Sequence, residues 1–356
     1  MSELQISLLG IGAVVILAVY IYSVWQQRQY RRRLGATFKP HHDDALYREV
    51  SAVSPEPGAG DAAAETGQEL SEISTRAGAG SELCGLLDAA TDYIVTLSSS
   101  NPMHVGILAP LWQQRFDFGK NVVVCGLNTA TGAVERVVAE SMQSYSAFHL
   151  ALQLADRSGA VSESRLKSFH DLAREMAQSA DADTAMPDVP EAAAQAQQLD
   201  AFCAEVDQMI GLNILPSGAR ALAGPEISMV ADMHGFELQA DGTFHLLDAQ
   251  GHTLFTLANI DSEPFQHHTI KQMHFDGISL LLDVPQVENP LQRFDEMADL
   301  AGEIAEELRA TVMDDKHVAL NENAIAVIRG QVAAIESKML EYPIVPGSAQ
   351  ARRLFS

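Results

Sequence analysis

Hydrophobic positions follow three different patterns along this chain. From Leu4 to Gln27 there is no charged residue, and Ile6 to Trp25 is a nearly unbroken apolar run. At about 1.5 Å rise per residue, such a run spans about 30 Å as a helix, the thickness of a bilayer's hydrocarbon core. Arg28, Arg31, Arg32 and Arg33 follow it at once, whereas only Glu3 carries charge before it. By the positive-inside rule, residues after Arg33 are expected in the cytoplasm and the N-terminus outside. A cleaved signal peptide would carry its positive charge before the run; here Tyr20, Tyr22 and Trp25 instead sit where an aromatic belt would lie. The expectation is a transmembrane anchor over 1–27. The four arginines are expected at the lipid surface.

The second pattern has no period. Residues 28–82 hold the basic stretch and then a linker, with Ser54-Pro-Glu-Pro-Gly-Ala-Gly-Asp61 and Gly78-Ala-Gly-Ser81 unable to build an apolar face. A flexible linker of this length would reach about 35–40 Å from the bilayer.

Beyond residue 83 the pattern alternates between periods of about 2 and 3.6, and it does so twice. Candidate strands Tyr93–Leu97 and Phe148–Leu154 match Met209–Ile214 and Gly277–Val284. A helix follows each second strand, and the two share the spacing Leu-x-x-Phe-x-x-Leu/Met-Ala. Leu166, Phe169, Leu172 and Ala173 fill it first, then Leu291, Phe294, Met297 and Ala298. Hairpins are expected at Asn128–Gly132 and Asp248–Gly251. Helices over Glu191–Val206 and Asn323–Leu340 close the two halves. This order predicts α+β domains, an antiparallel sheet backed by helices, and suggests an internal duplication into 83–206 and 207–345 with a tail at 346–356. Two unrelated domains sharing the pattern by chance is the alternative.

Charge narrows the partners. After Gly35, 19 basic residues face 46 acidic ones, so nucleic acid and anionic headgroups are repelled. Cys84, Cys125 and Cys203 form no CxxC pair, and read as buried free thiols. No phosphate-loop, nucleophile-elbow or zinc-protease motif occurs, so neither cofactor nor metal is expected. His267, His268 and His274 read as a solvated loop entering a strand, His41-His42-Asp43-Asp44 as a polar run, and Asp156-Arg157-Ser158-Gly159 and Asp314–His317 as turns.

The later half carries Leu254-Phe-Thr-Leu-Ala-Asn-Ile260, Gly277-Ile-Ser-Leu-Leu-Leu-Asp-Val-Pro285, Phe294, Ile304-Ala-Glu-Glu307 and Val312-Met-Asp-Asp315. As an ordered set these resemble the C-terminal FtsZ-binding domain of the ZipA family of bacterial cell-division membrane anchors, over roughly 207–340. The resemblance implies a split β-α-β fold and a non-enzymatic tether at the inner membrane of the division site. It also implies a shallow apolar groove on the sheet that receives the FtsZ C-terminal peptide. Carried over by position, the groove residues are Met209, Gly211, Thr243, Ala258, Ile260, Ser279 and Leu281, with His317 at the rim. Alternation puts Ala258 with Ile260, and Ser279 with Leu281, on one face. On the residues alone, the ordinary core side of a sheet is the favoured reading of that face. The linker is shorter than is usual for the family, and the domain at 83–206 is extra, resembling a divergent copy of the same fold. A membrane-anchored enzyme or small-molecule sensor using that extra domain is the other class of function.

Overall fold

The computed structural model describes residues 84–356 apart from Ala219, Ser262 and Asp315; the expected span, arginine cluster and linker lie outside the described residues. Among the described residues no helix is long and apolar enough to cross a membrane.

In chain order the first half runs β1 (Asp92–His104), α1 (Ala109–Gln114), β2 (Val122–Asn128), β3 (Val134–Arg136), β4 (Ser144–Gln153), α2 (Glu163–Ser179), β5 (Asp183–Ala185) and α3 (Val189–Val206). The second half runs β6 (Met209–Pro216), α4 (Gly224–Met233), β7 (Phe236–Leu238), β8 (Phe244–Leu247), β9 (Thr253–Asn259), β10 (Ile278–Asp283), α5 (Pro290–Glu307), β11 (Ala310–Met313) and α6 (Glu322–Glu341). A last short helix, α7 (Ala349–Leu354), follows.

Local chemistry sets the helix starts. Ser162, Asp188, Asn321 and Ser348 each cap a helix by accepting a backbone N–H with the side chain. Pro290 opens α5, where a missing N–H costs nothing. Each long helix then turns its apolar stripe inward: Leu166, Phe169 and Met176 from α2, and Phe294, Met297 and Ile304 from α5, are all buried.

The first sheet has the order β3-β2-β4-β1-β5 and the second β7-β8-β9-β10-β6-β11, with every pairing antiparallel. In each, one strand leads through a long helix to a parallel strand two places away, across the opening strand of that half. These are β4–α2–β5 across β1 and β10–α5–β11 across β6. The two orders agree over four neighbouring strands, β2-β4-β1-β5 and β9-β10-β6-β11, and differ outside them. In the first half the inner hairpin strand is the earlier one, and in the second half it is the later one.

Both halves lie in one compact unit, and one apolar core runs through it. Phe202 of α3 stacks on Tyr342 beyond α6, with ring centroids 4.0 Å apart. Lys338 pairs with Glu205 across the same seam. Residues 346–356, expected as a tail, contain α7, whose Ala351 and Leu354 are buried together with the following Phe355. Gln350 donates to Asp88 and Arg353 to Asp92, while Gln286 donates to the Phe355 carbonyl. The helix therefore touches both halves.

One expectation about sulfur is corrected. Cys84 and Cys125 are disulfide-bonded, with Cα atoms 6.4 Å apart, and the free cysteine is Cys203. The sequence separation of 41 between the partners hid the contact, because a turn at 84–87 folds back over β2. Burial pushes the Cys203 thiol up to about 12, so it stays protonated.

Candidate functional site

Strand register decides which face each candidate residue occupies. Leu212, Leu280, Leu257 and Phe244 lie directly opposite one another across β6, β10, β9 and β8, and all four are buried against the helices. The neighbouring rows must then face the other way. One row reads Gly211, Leu281, Thr256, His245 and Glu237; the other reads Met313, Asn213, Ser279 and Ala258. The core reading of these positions is thus resolved by alternation: Leu280 is fully buried, whereas its neighbour Leu281 is half-buried.

The structure brings most of the sequence-named residues together. Met209, Gly211, Ala258, Ser279 and Leu281 share the outer face of the second sheet. Ile260 continues the row of Ala258, and its N–H reaches the Gly277 carbonyl at 3.3 Å. Thr243 lies two residues ahead of His245 and on the same side. Its hydroxyl is 2.8 Å from His245 Nε2, and both groups contact Asp241. Burial would raise the Asp241 carboxyl, but hydrogen bonds from Thr243 and His245 outweigh it and hold the group below its ordinary range. His317 stands apart. It is exposed in the turn after edge strand β11, with a left-handed φ of 59° and its N–H on the Asp314 carbonyl.

The surface formed sets apolar Met209, Ala258, Leu281 and Met313 among polar Asn213, Ser279, Thr256 and His245. A Cβ placed on Gly211 would meet Leu281 Cδ2 at 3.2 Å, so the missing side chain is what lets Leu281 lie toward β6. At the centre, Ser279 Oγ donates to Asn213 Oδ1 at 2.6 Å. Both are under 10% exposed, at 9% and 7%, and each offers the other a partner in place of water. Leu281 and Ala258 flank this pair on their own strands, and the polar groups of Thr243 and His245 form one rim. An extended or helical segment with one apolar side can lie on such a face. Among the described residues no group of His, Cys, Asp and Glu could hold a metal ion.

Asn213, Thr256, His245 and Met313 belong to this face and were missed. Alternation from Met209 and Gly211 points to Asn213, and from Ala258 back to Thr256; no local signal marks Met313, whose place comes from the edge pairing of β11. A second miss lies at one end of β6 and β10. Arg157, read as part of a plain turn, crosses from the first half to Asp207 and Asp283, with N···O distances from 2.6 to 3.1 Å. Lys120 holds that turn from beneath, bonding to Asp156 at 2.5 Å and to Ser158 and Gly159. Burial raises the Asp283 carboxyl to about 6, against the opposing pull of Arg157.

Comparison with known proteins agrees with the later half. The family described as "ZipA, C-terminal FtsZ-binding domain" matches residues 208–331. The chain is 24% identical over 157 residues to the cell division protein ZipA of Ectopseudomonas mendocina, covering 43% of this chain and 58% of that one. It is 26% identical over 147 residues to the cell division protein ZipA of Xylella fastidiosa, covering 40% of this chain and 60% of the relative. The chain thus spans 58% and 60% of the length of these relatives.

Proposed function

We propose that this chain, a ZipA-family member through its residues 208–331, is a membrane-anchored cell-division tether that binds the C-terminal peptide of FtsZ. The observation that carries the site is the register of the second sheet. It turns Met209, Gly211, Ala258, Ser279 and Leu281 away from the helix-packed core, on the domain that matches the FtsZ-binding family. Ile260 extends this face, Thr243 bounds it, and His317 offers a basic group beyond β11. In this reading the run 6–25 spans the inner membrane with the N-terminus periplasmic, Arg28, Arg31, Arg32 and Arg33 meet the lipid surface, and both α+β halves lie in the cytoplasm. The half at 83–206 is read as a divergent copy; the support is the shared four-strand order and the equivalent buried Phe169 and Phe294.

A tether needs no catalytic group, only affinity multiplied along a filament. Burying some 300 Å² of apolar peptide surface is worth about 7 kcal/mol before ordering and association costs reduce it. A single contact is therefore weak, and arraying many copies on a membrane makes attachment firm. The test uses a fluorescent FtsZ tail peptide and anisotropy. Leu281→Asp and Ile260→Asp each put a charge on the face without touching the buried row, and should weaken binding at least about tenfold. Circular dichroism checks the fold. A folded Leu281→Asp chain that binds the peptide like the parent would move the site elsewhere.

A further inference from the structure

The first sheet has an outer face of the same build, and the chain itself covers it. Register sets Cys125, His149 and Thr96 in one row and Val123, Ala151 and Ile94 in the next. They lie on β2, β4 and β1, the strands that correspond in order to β9, β10 and β6 of the second sheet. There the face is half-exposed at Leu281, Ala258 and Gly211. Here Leu87 is only 6% exposed, packed on Val123, Cys125 and Ala151 with Cys84, Ile94 and Val134 around it. The turn is tight, with the Leu87 N–H on the Cys84 carbonyl at 2.9 Å. Cys84 is bonded to Cys125, at the β2 end of the covered row.

The chain is anchored differently on either side of Leu87. From Asp88 onward it is pinned by polar contacts. The Asp88 N–H donates to Asp92, Gln350 donates to the Asp88 carboxylate, and Gln195 donates to the carbonyls of Ala89 and Ala90. Cys84–Leu87 instead meets the sheet through one leucine side chain and one S–S bond. A single apolar side chain in a small cluster opens readily unless a covalent bond holds it.

We infer that Cys84–Leu87 occupies the first-sheet face in cis and that the Cys84–Cys125 disulfide is the latch that keeps it there. A dithiol reductant opens it. The reductant's two S–H bonds break as it closes to its own disulfide, and the two electrons and two protons it gives up convert the Cys84–Cys125 bond into two thiols. The segment then lifts about Asp88, and Ile94, Val123, Val134 and Ala151 become available to another apolar segment. Oxidised, the first half is closed, while Gly211, Ala258 and Leu281 on the second sheet stay half-exposed. The contacts in the first half carry this inference; only its comparison with the second sheet rests on the binding reading above.

Thiol counting tests it on the full chain. A bulky maleimide should label none of the three cysteines before reduction. After a dithiol is added and removed under nitrogen, it should label two, Cys84 and Cys125, while buried Cys203 stays silent. Cys84→Ser, without any reductant, should label at Cys125. A label on Cys84 before reduction would overturn the inference, because no disulfide would then exist. So would a single label after reduction, because the segment would then stay docked without its bond. Labelling of Cys203 as well would show global unfolding in place of local opening, and would equally overturn it. None of these readings involves FtsZ, so the latch and the tail-binding face fail separately.

Discussion

Replacing Arg157 by methionine isolates the contact that ties the two halves at the edge of β6 and β10. Methionine keeps most of the length and apolar stem but removes the charge. In the parent, one guanidinium faces two carboxylates, and the three side chains are between 21% and 30% exposed. Removing one partner of a buried pair costs about 3–5 kcal/mol, and this partial exposure brings the expectation to about 2–3 kcal/mol at pH 7.5. The sign of the pH effect follows from Asp283. Its folded pKa of about 6 lies above the ordinary 3.8, so the folded state holds the proton more tightly. That contribution is fully present below about pH 4 and is lost as pH rises through about 6, about 3 kcal/mol at 1.36 kcal/mol per unit. Without Arg157 the Asp283 carboxyl rises further, so the variant suffers most where the group must ionise. Urea denaturation of parent and variant at pH 7.5 and pH 5 should show a deficit that shrinks clearly at pH 5. Arg157→Met/Asp283→Asn should regain much of the loss at pH 7.5. A deficit of the same size at both pH values would refute the argument, leaving lost packing as the cause.

Three further outcomes are expected. Phe169→Ala and Phe294→Ala, each removing a fully buried ring, should cost about 3–5 kcal/mol apiece in denaturant unfolding. Deleting 349–356 removes buried Ala351, Leu354 and Phe355 and leaves Asp92, 4% exposed, without its arginine; the unfolding midpoint of both halves should fall together, and independent transitions would refute the shared seam. A reporter fused after Ser356 should be active only in the cytoplasm, and moving Arg28, Arg31, Arg32 and Arg33 ahead of the apolar run should invert or scramble insertion.

What was legible in the sequence was local periodicity. Leu166-x-x-Phe169 and Leu291-x-x-Phe294 announced two helices with buried stripes, and alternation put Ser279 and Leu281 on one face, as the register does. What periodicity could not say was which of two alternating sets met the helices; that depends on register between strands far apart in sequence. The same limit hid the partners of Arg157, since nothing near a turn of Asp, Arg, Ser and Gly reveals carboxylates on β10. It hid Cys125 from Cys84 as well. Residues 346–356 were too few to show a period, and Ala351, Leu354 and Phe355 are buried by packing into a core built from residues far away in sequence.

The placement of α7 has a mechanical consequence. With the Cys84–Cys125 bond open, a pull on the chain ahead of Cys84 enters the folded unit at Asp88 and Asp92. Those two carboxylates are the ones gripped by Gln350 and Arg353. Tension therefore passes within a few residues of its entry into a helix that also bonds to Gln286 at the end of β10. The first sheet is bypassed rather than unzipped from β1, and force reaches the strands of the second sheet by a short route through side chains. Weakening that grip would turn the first half from a bystander into the element that stretches.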